Sequence, residues 1–442
     1  MAARHAHVLV IGSGPAGFYT ADALLNGGCD VQVDIIERLP TPYGLIRGGV
    51  APDHQTTKKV ARKYEQTALF NQVRYFGNVE VNKDISLAEL REMYDAVVLA
   101  VGAPGDRKLT IPGADKGGVH GSAAFVGWYN GHPDFRDLEP DLNTKAAVVI
   151  GNGNVALDCA RVLVRSRRGM AAADIAGHAM DMIEAAPLAD VYLTGRRGPL
   201  DAKFTNVELR ELADLEQAVP LARAEQLPDA VPDDMPPRDK RLAERNLASL
   251  REYAENDPAA KPKRIHIEFF AQPVSILGDD HVEAVAFERT RVVDGRAEGT
   301  GEIFEIPCGL VIAAIGYRSD PIEGAPFDDK AGIIPNDNGR VDDGLYAVGW
   351  IKRGPSGVIS SNRPDGVTVA EYICEDFKAL SGTHGKPGRA ALEPLLKERG
   401  VRAVSFEDWK KIEAAEIARA ADSDRPRDKF VSVPDMLKVL DR

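Results

Sequence analysis

The sequence predicts an α/β protein built from two Rossmann-like dinucleotide-binding domains, one of them discontinuous because the other is inserted in it. Three observations predict this. An apolar run, Val8-Leu-Val-Ile, opens into the glycine-rich turn Gly12-Ser-Gly14-Pro-Ala16-Gly17 and then into a helical pattern. The same arrangement returns as Ala147-Val-Val-Ile leading into Gly151-Asn152-Gly153-Asn154-Val155-Ala156. Two further apolar runs, Tyr94 to Gly102 and Leu310 to Gly316, each stop at glycine and mark where the chain crosses between domains. The expected boundaries are residues 1–104 and 317–442 for the discontinuous domain and 105–316 for the inserted one.

Size and composition agree with this. At 442 residues the chain exceeds the length at which one hydrophobic core keeps growing. The net charge of −12 argues against a general nucleic-acid binder. No apolar run approaches the length of a membrane span, and the first strand begins within eight residues of Met1, so no leader is expected unless one has already been removed. A cytoplasmic location is expected. Cys29, Cys159, Cys308 and Cys374 lie far apart with no CxxC, so neither a redox dithiol nor a metal-ligand cluster is visible. Small buried hydrophobes are the expected role of all four.

In the first turn Gly12 allows the tight bend, Gly14 lets backbone amides approach a pyrophosphate, and Gly17 lets helix and strand pack closely. The next strand, Val31-Gln-Val-Asp-Ile-Ile, ends in Glu37, placed to accept from a ribose hydroxyl. Leu39 to His54 alternates prolines and glycines with apolar residues, a rigid loop able to lie along a flat ring system. Asp53 is expected to cap a helix running to about Leu69 that carries Lys58, Lys59, Arg62 and Lys63. Val79 to Val81 reads as a strand, and Ser86 with Glu89 as a capping box.

After the second glycine turn, helical patterns are expected to about Val164 and from Ala171 to Ala186, followed by the strand Asp190 to Thr194. That strand ends in Arg196 and Arg197, where the first site has Glu37. A carboxylate there repels a 2′-phosphate, whereas paired guanidiniums bind one. The first site therefore suits FAD or NAD, and the second suits NADP. Thr205 and Glu208 fit a capping box, and Glu208 and Glu211 share a helix face from which one of them can meet a nicotinamide. From Gln226 to Lys263 the chain is polar and proline-rich around a charged helix. Runs starting at Arg264, His281 and Glu302 predict a small antiparallel sheet. Strand-then-glycine character returns over Arg340 to Ile359, and a helix follows from about Asp365 to Ala379. The polar remainder, from Thr383, shows helical pieces around 406–421 and 433–440.

Taken together, Leu39-Pro-Thr-Pro-Tyr-Gly-Leu-Ile-Arg-Gly-Gly-Val-Ala-Pro-Asp-His54, Gly151-Asn-Gly-Asn-Val-Ala-Leu-Asp158, Gly195-Arg-Arg-Gly-Pro-Leu200 and Gly349-Trp-Ile-Lys-Arg-Gly-Pro-Ser-Gly357 resemble ferredoxin–NADP reductases of the adrenodoxin-reductase type, over essentially the whole chain. The resemblance implies FAD in the discontinuous domain, contacted around Ala16, Glu37, Leu45, Val81, Trp350, Gly357, Val358 and Ile359. It implies NADP in the inserted domain at Asn152, Gly153, Asn154, Val155, Arg196, Arg197 and Glu208, with Arg107 and Gly357 nearby. His54 and Glu211 match positions lining the active centre. Trp350 stands where many two-dinucleotide reductases carry Asp, so the flavin contact there becomes aromatic packing and backbone. The segment Ser360 to Gly366 departs from the family pattern.

The implied activity is hydride transfer from NADPH to FAD, then single-electron transfer to a small acidic iron–sulfur ferredoxin, with monooxygenases the expected consumers. A helix starting near Asp365 is expected to turn its positive end to the reduced flavin. Docking is expected at Arg47, Lys58, Lys59, Arg62 and Lys63, with Arg238, Lys240, Arg241 and Arg245 across the cleft. Disulfide reduction lacks its CxxC. The alternatives are an electron-entry subunit like the small subunit of glutamate synthase, which lacks its cysteine clusters here, and a non-enzymatic flavin module sensing NADPH.

Overall fold

Near-continuous apolar strands with no polar face must be covered on both sides, and that requirement organises the chain. A computed structural model describes residues 5–379 and 385–441. The chain begins β1 (Ala6–Ile11), α1 (Pro15–Asn26), β2 (Val31–Ile36), α2 (Leu45–Gly48), α3 (Gln55–Lys58), α4 (Ala61–Ala68), β3 (Val73–Phe76), α5 (Leu87–Met93) and β4 (Ala96–Leu99). It crosses at β5 (Gly105–Asp106) into β6 (Val119–Gly121), α6 (Ser122–Asn130), β7 (Ala146–Ile150), α7 (Asn154–Val164), α8 (Gly177–Ala185), β8 (Asp190–Thr194), α9 (Asn206–Arg210), β9 (Ala218–Ala222), α10 (Pro237–Ala254) and β10 (Lys263–Glu268). The three-stranded antiparallel sheet of β11 (Ala271–Leu277), β12 (Ala284–Val293) and β13 (Arg296–Pro307) precedes β14 (Leu310–Ala313). The chain recrosses at β15 (Tyr317–Arg318) and ends with β16 (Arg340–Asp342), β17 (Leu345–Ala347), α11 (Trp350–Arg353), α12 (Asn362–Ala379), α13 (Arg389–Glu398), α14 (Phe406–Arg419) and α15 (Val433–Val439).

Two six-stranded sheets result. The first, ordered β16-β17-β4-β1-β2-β3, draws strands from both ends of the chain; the second, β6-β14-β7-β8-β10-β9, draws them only from its middle. The discontinuous α/β architecture is thus present. The two crossings pair with each other as an antiparallel ribbon, Tyr317 opposite Asp106 and Arg318 opposite Gly105.

Several elements differ from expectation. The helix expected from Asp53 to Leu69 is broken into α3 and α4, since around Lys59 and Val60 the backbone bonds tighten to three-residue spacing, and the Asp53 carboxylate pairs with Arg161 instead of capping. Val79 to Val81 is not a strand; Asp84 accepts from the Glu80 amide and the Asn82 amide donates to Ile85, which curls the segment into a tight loop after β3. The Ser86–Glu89 capping box forms. The helix expected from Ala171 starts only at Gly177, since residues 171–176 are spent on contacts between domains, including the Asp174 amide donating to Pro52 O. The strand at Arg264 joins the second parallel sheet rather than the antiparallel one. Two helices lacked a legible period. α6 buries Phe125, Trp128 and Tyr129 on several sides and is started by Asp106, whose carboxylate accepts from the Ala123 amide at 2.7 Å, and α13 carries Pro394 inside it. α12 starts at Asn362, and Thr383 lies outside the described residues. Of the cysteines, Cys159 and Cys308 are buried thiols, but Cys29 and Cys374 form a disulfide joining the end of α1 to α12.

Candidate active site

Both glycine turns stand at the carboxyl ends of the strands beside which each sheet reverses its winding, where open α/β sheets bind ligands. Their backbones are held alike. Gly12 has φ +108°, and a Cβ there would meet Ala100 O at 2.6 Å; Gly151 has φ +150°, and a Cβ would meet Ala314 O at 2.3 Å. Only glycine fits either place. Around Gly14 and Gly153 a Cβ would meet nothing within 4 Å, so each turn leaves its ligand-facing side open.

At the first turn, Glu37 Oε2 accepts from Ser13 Oγ at 2.6 Å and from the Ser13 amide at 3.1 Å. Glu37 Oε1 accepts from the Leu39 amide at 3.2 Å, and since a carboxylate has about four lone-pair sites, one is left for a ribose hydroxyl. Gly44 lies against Gly14, which sets α2 and the half-exposed Leu45 beside the turn. From the far end of the chain Gly349 packs on Ala16, and the Trp350 ring lies 5.7 Å from that of Tyr317 in the crossing ribbon. Gly357, Val358 and Ile359 follow, Val358 strongly exposed. The α12 start reaches this place as well: Asp365 accepts from the Gly349 amide and pairs with Lys352 and Arg353. Val81 sits half-buried in the loop after β3.

At the second turn, Asn152 Oδ1 and Glu208 Oε2 are buried without partners among the described residues. Burial, with the charges of Asp158 and Glu211, pushes the Glu208 carboxyl up from its ordinary value. Orphaned buried acceptors of this kind await donors, so the site fits a bound nucleotide. Asn154 also starts α9: its Oδ1 accepts from the Thr205 amide at 2.8 Å in place of the Thr205–Glu208 capping box, which does not form. Arg196 is exposed and makes no ion pair among the described residues, whereas Arg197 is tied to Asp201 at 3.0 Å. Arg107 is exposed, its Nε donating to Tyr317 O at 3.4 Å.

Between the turns the fold brings His54 and Glu211 together, His54 Nε2 lying 2.8 Å from Glu211 Oε2. The bond to Glu211 raises the His54 imidazole above its ordinary range, although burial and Arg161 oppose this. Burial raises Glu211, but the bond from His54 and the nearby Arg161 outweigh it and leave the carboxyl lowered. Arg161, 1% exposed, is the hub that sequence reading missed; its guanidinium pairs with Asp53, with Asp158 at 2.6 Å and with Glu211 at 3.4 Å. A charged side chain in the apolar stretch Ala156 to Val164 was the available signal, since such a charge is buried only when paired.

The structure also corrects the docking candidates. Arg47 pairs with the fully buried Glu416, and Lys58 pairs with buried Asp174 at 2.6 Å. Both are interior ties. Lys63 pairs with Asp22 at 2.9 Å, which leaves Lys59 and Arg62 exposed. On α10, Arg238, Arg241 and Arg245 are exposed, and Lys240 is paired with Asp233.

Two dinucleotide turns with opposite charge at their strand ends, together with a His–Glu pair that joins the two domains, define a two-nucleotide oxidoreductase. Comparison with known proteins agrees. Residues 6–190 match the family described as pyridine nucleotide-disulphide oxidoreductase. The chain is 43% identical to the mitochondrial NADPH:adrenodoxin oxidoreductase of Homo sapiens over 98% of this chain and 91% of that one. It is 40% identical to the NADPH-ferredoxin reductase FprA of Mycobacterium leprae over 98% of both. The structure of Mycobacterium tuberculosis FprA in complex with NADPH superposes with a TM-score of 0.95 at 40% identity, covering 99% of both chains. The chain belongs to the adrenodoxin reductase and NADPH-ferredoxin reductase family.

Proposed function

We propose that this chain takes reducing equivalents from NADPH at the Gly151 turn, holds FAD at the Gly12 turn, and passes electrons to an iron–sulfur ferredoxin. The observation that carries this is the opposite charge at the two strand ends, Glu37 against Arg196 and Arg197. When bound, the flavin supplies the exchange between two-electron and one-electron chemistry. The protein's own residues position and screen. Gly14 and the start of α1 present amides to a pyrophosphate, Glu37 accepts from a ribose, and Trp350 with Leu45 and Val358 supplies apolar contact. Arg196 and Arg197 take the 2′-phosphate, while Asn152 and Glu208 offer buried acceptors to the nucleotide. His54 and Glu211 hold a proton at Nε2 beside the cleft.

The relatives' names do not favour the electron-entry subunit or the NADPH-sensing module. Among the described residues no helix is long and apolar enough to cross a membrane. We place the reaction in the cytoplasm; fractionation checks this, since the human relative is named as mitochondrial. The acceptor is an acidic ferredoxin supplying monooxygenases, docked on Lys59 and Arg62 on one side of the cleft and on Arg238, Arg241 and Arg245 on the other. The test is anaerobic reduction of purified ferredoxins by NADPH and catalytic amounts of the holoenzyme. Bleaching of the iron–sulfur absorbance is the expected result. Dye reduction without transfer to any ferredoxin would defeat the reading.

A further inference from the structure

The contact at His54 Nε2 is chemically overdetermined. That single nitrogen lies 2.8 Å from Glu211 Oε2 and 2.8 Å from Arg161 Nη2. A carboxylate only accepts, a guanidinium only donates, and a ring nitrogen does one or the other according to whether it carries a proton. The two partners therefore serve two different states of one ring. We propose that Arg161 is a positioning residue for His54, donating to Nε2 when that nitrogen has lost its proton, just as Glu211 accepts from it when the proton is present.

The guanidinium is held in place to do this. Four of its five N–H groups have acceptors: Nε faces Glu211 at 3.4 Å, Nη1 donates to Asp53, and Nη2 donates to Asp158 at 2.6 Å with its second hydrogen left for His54. Asp53 is held in turn by Arg165 at 3.2 Å. The groups facing His54 are thus Asp53 on its own loop, Asp158, Arg161 and Arg165 from α7 and its end, and Glu208 and Glu211 from α9 and its end. A planar fork with fixed N–H directions satisfies acceptors on three elements at once, which a lysine ammonium does not reproduce. When the ring loses its proton, that proton leaves by way of the Glu211 carboxylate, which is about a third exposed, and the freed Nε2 lone pair is taken by Nη2–H. The ring need not turn, and Nε2 keeps a partner in either state.

The proposal deepens the reading in which His54 serves the reaction, but its test does not depend on that reading. In the unsubstituted holoenzyme, labelled with 15N-histidine and assigned by loss of one signal in His54→Gln, neutral His54 should be the Nδ1–H tautomer, identified by its ring 15N shifts at high pH. Finding the Nε2–H tautomer would overturn the proposal. In Arg161→Gln the midpoint of the His54 titration should rise by about one pH unit, because a positive neighbour has gone. The pH limb of NADPH-dependent flavin reduction should move with it. An unmoved midpoint in a folded variant also overturns the proposal. If the tautomer is as stated but His54→Gln reduces its flavin at the normal rate, the Arg161 contact stands and the catalytic reading of His54 falls.

Discussion

Arg196 and Arg197 are neighbours in sequence but not equivalents in space. Arg197 is already tied to Asp201, while Arg196 stands free of ion pairs among the described residues. A charge-assisted hydrogen bond contributes roughly 1.5–3 kcal/mol, so removing Arg196 should raise KM for NADPH about 10- to 100-fold and leave KM for NADH almost unchanged. Removing Arg197 should cost less, because Asp201 already claims part of its charge. Steady-state kinetics with both nucleotides checks the order; equal effects on NADH would remove phosphate recognition from both residues. His54 gives a second prediction. Its imidazole is raised above the ordinary 6.5, chiefly by the bond to Glu211. The stability this adds is complete below that ordinary value and is lost as pH rises through the raised one. Denaturant midpoints compared at about pH 6 and about pH 9 should show this alkaline loss in the wild type and not in His54→Gln. The same variant should reduce its flavin more slowly in stopped flow.

Among elements, α2 and α3 help to lock the two domains together. Lys58 pairs with Asp174 Oδ1 at 2.6 Å, and Lys429, from the stretch before α15, pairs with Asp174 Oδ2 at 3.2 Å. Lys429 also donates to Asn130 O at 3.0 Å and Arg47 O at 3.2 Å. Burial pushes Lys429 far down, and the two lysines, working against burial, hold Asp174 below its ordinary range. Asp174→Asn strands two buried cations, so it should cost about 3–5 kcal/mol, whereas Lys429→Met leaves the Lys58 pair intact and should cost less. Equilibrium denaturation at neutral pH distinguishes them. The disulfide is a second tie, between the end of α1 and α12. Denatured but unreduced protein should therefore titrate two thiols, Cys159 and Cys308, and reduced protein four. Reduction should lower stability by up to about 5 kcal/mol, given the 345-residue separation of the pair. Four free thiols before reduction would rule out the bond.

For the whole molecule, the proposed docking of an acidic ferredoxin has to work against a net charge of −12. Arg47 and Lys58 are interior ties, so the steering charges reduce to Lys59 and Arg62 beside the first site and Arg238, Arg241 and Arg245 on α10. Charge reversal at the α10 arginines should slow ferredoxin reduction and flatten its dependence on ionic strength, with little change in NADPH-to-dye activity. A salt dependence the same as that of the wild type would place docking elsewhere.

Local chemistry made much of this legible in the sequence. The two glycine turns, the Glu37 and Arg196–Arg197 contrast, the crossing strands and the Ser86 cap are each set by residues within one strand–turn–helix unit. Sheet membership was readable only in part: the Arg264 strand looked antiparallel by its neighbours and is parallel by its partners. What only the tertiary structure decided concerns charges that pair across long separations. Arg161 with Asp53, Lys429 with Asp174, and Cys29 with Cys374 carry no local pattern, because the physical need they meet arises only once the chain has folded around them. The same holds for the Asp53 carboxylate, which a local reading makes a helix cap and which pairs instead with an arginine more than a hundred residues away. The sequence by itself determined the two glycine turns and the opposite charge at their strand ends, since each rests on a short stretch of backbone and one strand end. The geometry between those sites was decided by folding, since a buried charge is tolerated only where a distant partner arrives to meet it.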